Sequence, residues 1–426
     1  MRAFGQRLRL LASPLSDVSL RRLWFARLVS EGGDWAARLA LGLLVFAQTG
    51  SPLATTTVTA VSLLPHLGIG QLLGTLADRF PHRWVMVGAE LWRGVIYLVL
   101  AFVHLPVPAI LALAFVAGLA DPPFLAANSA ALPLLSGDRY VLVLTLWTST
   151  RQAMTLIGFA AGGFLIAATS PSLALALNAG SFLLSIVFIA GTRSTRSSET
   201  SERRPLIRPA IHALTSDRLI IVSAGAVTIG AVLGVTVESL MVAYAAHLGY
   251  GATGAGLLAT IPPVAALLTA LLISSEGTHA QLVRRVCATV AMMGAVAFAV
   301  FSLDAPMPVV TVAFLAAGAL DVMTVPAGAV IGQRLPQASR GTAFSFLEGA
   351  LGGAQVLGAL LAGALATAIS VAYASAVLAL PALVFGLLGL LLVRRAPRDQ
   401  PTAAAGAPAA GGGPSVPGLL PAAVGE

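Results

Sequence analysis

Residues 192–217 read TRSTRSSETSERRPLIRPAIHALTSD. This stretch is polar and basic, and apolar sequence flanks it on both sides. Working back from it, apolar runs fall near 23–47, 53–76, 84–103, 107–128, 140–168 and 172–191. Working forward, they fall near 219–247, 254–275, 282–303, 308–331, 342–369 and 371–393. A helix needs about 20 mostly apolar residues to cross the ~30 Å hydrocarbon layer of a bilayer. Each run is of that order. Lipid offers no partner to a free backbone N–H or C=O, so helix is the expected state.

Composition agrees. Apolar residues make up 57 % of the chain and charged residues 10 %, with a mean hydropathy of +0.90. A soluble domain has about a quarter of its residues charged. Too few charges are present to coat a water-facing surface. The first apolar run carries charges and has no clear small-residue cleavage site, so it reads as a first span and not as a cleaved signal.

Charge placement orients the spans. The net charge is +8, and every basic residue is arginine. With the N-terminus inside, Arg2 to Arg22, Arg79, Arg83, Arg139, Arg193 to Arg218, Arg284, Arg285, Arg334, Arg340 and Arg394 to Arg398 all fall on one side. The alternate loops hold none. This is the positive-inside pattern, and it accounts for the basic charge without nucleic acid. Only Arg27, Arg38, Arg93 and Arg151 fall within spans. The lone cysteine, Cys287, permits no internal disulfide and reads as packing.

The two halves repeat. AFVAGLAD ends at Asp121 and AFLAAGALD at Asp321; IGFAAGG starts at Ile157 and LGALLAG at Leu357. Both pairs are offset by 200 residues. Parallel repeats of six spans are a known transporter plan. The expected fold is therefore an all-α polytopic membrane protein with twelve transmembrane helices in two pseudo-symmetric six-helix bundles. The expected division is a cytoplasmic N-terminus (1–22), a first bundle (23–191), a cytoplasmic linker (192–217), a second bundle (218–393) and a disordered cytoplasmic tail (394–426).

Between spans two and three lies GTLADRFPHR, Gly74–Arg83. It resembles the signature loop of the major facilitator superfamily, Gly-x-Leu-Ala-Asp-Arg-x-Gly-Arg-Arg/Lys. Gly74, Leu76, Ala77, Asp78, Arg79 and Arg83 match in place; Pro81 replaces a glycine and His82 a basic residue. Gly33-Asp34-Trp35, DPPFLAANSAALP (Asp121–Pro133), LNAGSFLLS (Leu177–Ser185) and RLPQASRGTAFSF (Arg334–Phe346) resemble the branch that contains macrolide and enterobactin exporters. IGFAAGG resembles the antiporter pattern Gly-Pro-x-x-Gly-Gly, with Phe159 where proline is usual. The likeness covers roughly residues 20–393. It implies efflux of a small molecule by alternating access, and it implies a gating role for Gly74, Asp78, Arg79 and Arg83. The physical reading of Asp78 is parallel: a carboxylate at the inner end of span two can accept from helix N-termini and neighbouring arginines and hold a gate shut.

Charges inside spans are costly, so each needs a partner, a wet cavity or a function. Span one carries Arg27, Glu31, Asp34 and Arg38 on one helix face. They can pair as Arg27–Glu31 and Asp34–Arg38. One reading makes Asp34 or Glu31 a proton-exchanging group on a cavity wall; the other makes the four a self-neutralising ladder. Glu90, Arg93, Asp121 and Arg151 can form one network, either structural or in contact with substrate. Arg151 lies about 18 Å into span five and is the best single candidate for an anionic substrate group. Glu238 sits toward the outer side of span seven with no sequence-local cation. It is a second candidate for proton coupling, or else a neutral, hydrogen-bonded acid. Gly158, Gly162 and Gly163 allow close helix approach. Pro65 is placed to kink span two beside His66.

No phosphate-cradling glycine loop with its lysine occurs. No Cys/His cluster has metal-ligand spacing, and Gly-x-Ser-x-Gly is absent. No cofactor is expected, and no enzyme domain. The expected partners are a small-molecule substrate, protons and the lipid bilayer around a monomer. The expected location is the inner (plasma) membrane, with both termini cytoplasmic. Uptake of a nutrient, and a non-transporting scaffold or receptor on the same fold, remain as rival readings.

Overall fold

The computed structural model describes residues 13–67, 69–193, 195, 207–272, 278–303, 305–336 and 340–393. Arg2, Arg7 and Arg9, residues 194 and 196–206 of the linker, the tail expected to be disordered, and the side chain of Asp321 lie outside the described residues.

The first crossing is α1, Val18–Thr49. Asp17 caps it, accepting from the amides of Ser19 and Leu20 at 2.8 and 3.1 Å. Gly50 ends it at φ 59°, a left-handed conformation that suits glycine. The second crossing is built of α2 (Pro52–Leu63), a tight turn at Leu64–His66, α3 (Ile69–Gly74) and α4 (Leu76–Arg79). Pro65 breaks it where the sequence placed a kink. Then come α5 (His82–Phe102), α6 (Val107–Gly118) with α7 (Asp121–Ser136), α8 (Tyr140–Ala168) and α9 (Pro171–Ala190). The second half comprises α11 (Arg218–His247), α12 (Gly251–Leu272), α13 (His279–Ser302), α14 (Met307–Arg334), α15 (Arg340–Ala368) and α16 (Val371–Val393). The described helices thus make twelve crossings.

Among the described residues, eight helical stretches are long and apolar enough to cross a membrane by length and composition alone. The others show why the remainder depart from that rule. Helix α1 carries four charges in its membrane stretch, and the second crossing is interrupted at Pro65.

The linker was expected to be a plain polar connection. Its last part instead forms a helix, α10 (Ile207–Ser216), which packs against α11 and α15. Ala213 and Leu214 join a small core with Ile220, Ile331, Leu335 and Ala343. The pattern Ile207, Ile211, Leu214 is that of a helix with one apolar face, which the polar composition obscured.

Small residues set the packing. A methyl group added at Gly158 would fall 2.7 Å from the Gly32 carbonyl oxygen, and one at Gly162 2.8 Å from Ala36. These bring α8 onto α1. Between the halves, α8 packs on α12 and α2 on α15. Gly163 meets Gly256, and Gly363 meets Leu53 and Thr56. Subtracting or adding 200 converts the first contact into the second, as a two-fold relation requires. All these residues lie near helix ends remote from the linker. The halves are therefore sealed at that end.

At the linker end, Asp217 caps α11 and accepts from Arg334 Nε at 2.6 Å. Partial burial works against its charge, but the Arg334 hydrogen bond and the Leu219 and Ile220 amides outweigh that. Its carboxyl is held below the usual carboxylate range. A depressed folded-state pKa stabilises above the unfolded value, and that contribution is lost as pH falls through the folded value. Asp217→Asn should lower the melting temperature at neutral pH, and the gap to the parent should narrow below about pH 4. A thermal-shift series against pH measures this.

The seal gives a second expectation. Gly163→Leu overfills it. In a Cys287→Ser background, a cysteine replacing Thr148 should then react more slowly with an impermeant maleimide offered at the linker end.

Candidate functional site: a charged cavity between the halves

A cavity of about 710 Å³ lies between the two bundles, within the usual range of small-molecule sites. Its first-half wall comes from α1, α2, α5, α7 and α8, and its second-half wall from α11, α12, α14 and α15. It runs from Phe314 and Met241 down to Leu132 and Leu144, toward the linker end.

Arg93 on α5 organises the first-half wall. Its Nη1 lies 3.2 Å from Asp34 Oδ2 on α1 and 3.1 Å from Asp121 Oδ1 on α7. Its Nη2 lies 3.2 Å from Glu90 Oε2, one turn earlier on the same helix. The guanidinium also stacks on Phe182 and Phe124, with 4.6 and 5.1 Å to the ring centroids. Glu90 is fully buried and accepts from Ser185 Oγ at 3.0 Å and Ser30 Oγ at 3.4 Å. Asn178 Nδ2 donates to Asp34 at 3.4 Å. Three carboxylates from three helices thus converge on one arginine.

Three sequence expectations change here. Asp34 does not pair with Arg38; it turns to Arg93. Arg38 instead meets Glu238 of the other half at 3.6 Å and lies over the Trp35 ring. Helical spacing makes Asp34–Arg38 possible, but a shorter-range pull comes from helices that the sequence does not place. The network of Glu90, Arg93 and Asp121 forms, with Asp34 in the place expected for Arg151. Arg151 lines the cavity elsewhere, close to Arg27. Glu238 has a cation after all, from 200 residues away. Arg27 and Glu31 pair as expected, at 2.9 Å.

Arg38 and Glu238 occupy the same position in the two repeats, and so do Gly42 and Val242, which also touch. Repeat-related positions can meet only on a two-fold axis. Helices α1 and α11 therefore pass that axis side by side, and an ion pair of opposite residues marks it.

The Gly74–Arg83 loop is a single helical turn, α4, followed by Pro81. Asp78 is exposed, and among the described residues its side chain makes no hydrogen bond. The expected clamp of Asp78 onto helix ends is not engaged in this conformation. His82 and Arg83 are engaged. His82 Nδ1 lies 2.9 Å from Thr195 Oγ1, and Arg83 Nη1 donates to the Thr192 carbonyl at 3.2 Å. They tie the loop to the start of the linker. Gly74 and Arg79 lie in the same loop, outside the cavity wall.

Sequence reading missed Asn178, Ser185 and Ser30 as supports for the carboxylates. A polar residue spaced at a helical repeat in an apolar run was the available signal.

Two membrane-spanning bundles enclosing a central cavity, sealed at one end and charged at its core, define a transporter that works on a small molecule. The chain belongs to the Major Facilitator Superfamily, whose family model matches residues 23–326 and 236–421. It is 29 % identical over 172 residues to the uncharacterized MFS-type transporter YfiS of Bacillus subtilis (strain 168); the match covers 40 % of this chain and 41 % of that relative. The match thus spans less than half of that relative's length. Its fold is similar to that of a mutant of the nucleoside transporter NupG, with a TM-score of 0.70 and 16 % identity over 88 % of this chain and 100 % of that one. It is also similar to a POT family transporter in complex with a thioalcohol-conjugated peptide, with a TM-score of 0.72 and 12 % identity over 88 % and 96 % of the two chains.

Removing Arg93 would leave Glu90 buried and unpaired, a loss that costs about 3–5 kcal/mol at such sites. Arg93→Ala should lower the melting temperature in detergent by several degrees, with Arg93→Lys intermediate because lysine cannot bridge three carboxylates with a planar fork. Differential scanning fluorimetry of the two variants measures both.

Proposed function

We propose that this transporter exports a small amphipathic compound, such as a drug, antibiotic or siderophore, in exchange for protons. The observation that carries the reading is the grouping of Asp34, Glu90 and Asp121 around Arg93 at a cavity wall. One guanidinium offsets one carboxylate. The excess negative charge at membrane depth is costly and invites a proton. Asp34 is the exchanging group on this reading, because it faces the cavity while Glu90 is fully buried. Glu31 is held by Arg27 and is the reserve candidate.

Glu238 couples the proton to movement. Protonating it removes the charge that holds Arg38, and so loosens the one ion pair across the two-fold axis that the described residues show. The seal at the far end can then part. In the opposite conformation, Asp78, Arg79 and Arg83 close the linker end around Gly74. The direction of transport rests on the resemblance of Gly33-Asp34-Trp35 and Asp121–Pro133 to exporters. The one-sidedness of the arginines assigns the linker end, and both termini, to the cytoplasm of a plasma membrane. The chain acts as a monomer, since one cavity serves both halves.

The test uses inverted vesicles with a pH-sensitive dye and a substrate panel. Adding the substrate should release protons from the vesicle lumen. Asp34→Asn and Glu238→Gln should each abolish proton-driven accumulation while leaving substrate counterflow measurable. Wild-type accumulation by the double variant would refute both coupling assignments.

A further inference from the structure

Each arginine lining this cavity has a carboxylate partner, with one exception among the described residues. Arg27 holds Glu31, Arg38 holds Glu238, and Arg93 holds Asp34 and Asp121. Arg151 also lines the cavity, and among the described residues its guanidinium has neither an ion pair nor a hydrogen bond. It sits close enough to Arg27 for the two positive charges to repel. Glu31 offsets only one of them. The Arg151 side chain is exposed to the cavity, where an incoming solute can reach it, and the fold keeps it beside a second arginine.

Two further donors stand in the same region. Trp147, one helical turn before Arg151, lines the cavity and is 4 % exposed, and its indole N–H finds no acceptor. Arg27 Nε is likewise buried without a partner. Trp24, which could have competed, is already spent on Thr150 at 2.7 Å. Buried donors are normally satisfied. Here a buried indole N–H and a buried arginine Nε are left over in the cavity that the exposed, unpaired guanidinium of Arg151 also lines. What they lack in common is an anionic acceptor. Apolar side chains, Leu144, Leu132 and Phe124, line the same wall.

We propose that the cavity recognises an amphipathic monoanion, with its carboxylate or comparable oxyanion held by Arg151, Arg27 and the Trp147 N–H and its apolar body against Leu144, Leu132 and Phe124. This rests on the transporter reading above and gives its substrate a charge. The bidentate fork of arginine suits a planar oxyanion. The anion also offsets the second positive charge of Arg27 and Arg151, of which Glu31 offsets only one.

The test is binding to the purified full-length protein in detergent, without any proton gradient. The probes share one ring: 1-naphthylacetate, its neutral amide, and 1-naphthylmethylammonium. Calorimetry or quenching of tryptophan emission reads the affinity. The carboxylate should bind about tenfold or more tightly than the amide, as a charge-assisted hydrogen bond allows, and the ammonium should be weakest. Arg151→Gln should bring the carboxylate down to the amide's affinity and leave the amide unchanged, which shows that the variant is folded. Arg151→Lys should keep most of the preference. Equal binding of the three probes, tightest binding of the ammonium, no binding of the carboxylate at millimolar concentration, or a preference that survives Arg151→Gln would each overturn the inference. Carboxylate preference in a protein that moves no protons would sink the coupling mechanism and leave this inference standing; proton-driven transport of the ammonium alone would do the reverse.

Discussion

An ion in a bilayer has no water to fall back on, and that constraint shapes the first half of this protein. Each charge near mid-membrane costs roughly 2.5–3.5 kcal/mol on insertion scales. A single helix can offer a charge only its own neighbours at three or four residues. Arg93 escapes that limit by collecting acids from α1, α5 and α7. The cluster therefore fixes three helices against one another while solving an electrostatic problem. Its aromatic floor, Phe124 and Phe182, supplies contact area that a bare ion pair would lack.

Among the described residues, the second half shows no such cluster. At the positions 200 residues on, Asp34 becomes Gly234, Glu90 becomes Val290 and Arg93 becomes Met293. Its cavity wall is mostly glycine, alanine, proline and valine, with Met241, Phe314 and Gln355 beside them and Glu238 as its described acid. The repeat has thus kept the shape and divided the chemistry. Packing contacts obey the two-fold relation, as Gly163 on Gly256 and Gly363 on Thr56 show. Asp17 and Asp217 keep the same capping role in both halves, and at Arg38 and Glu238 opposite signs make a same-position contact attractive instead of repulsive.

The loop between the second and third crossings carries a related point. Two of its residues depart from the family pattern, Pro81 and His82. His82 makes a hydrogen bond to Thr195, and Arg83 reaches Thr192. The departure is therefore tied to the linker, and the loop holds the end of the sixth crossing while Asp78 stays exposed. An exposed Asp78 at this end and a glycine seal at the other belong to one conformation.

The sequence by itself determined the membrane solvent and the twelve apolar runs, which depend on composition. Only eight described helical stretches meet the length and hydropathy rule on their own, and the packed bundle supplies the other crossings. The fifth and twelfth crossings end where the apolar runs end, at Ala168 and Val393. The candidate residues were also readable one by one, because a charge in an apolar run stands out. Their partners were not. Asp34 had Arg38 four residues away and Arg93 fifty-nine residues away, and chose the distant one. Glu238 looked alone until α11 met α1 on the two-fold axis. Pairing depends on which helices touch and at what height, and the three-dimensional packing of small residues sets both. Spacing along one helix says what can pair; only the assembled bundle says what does.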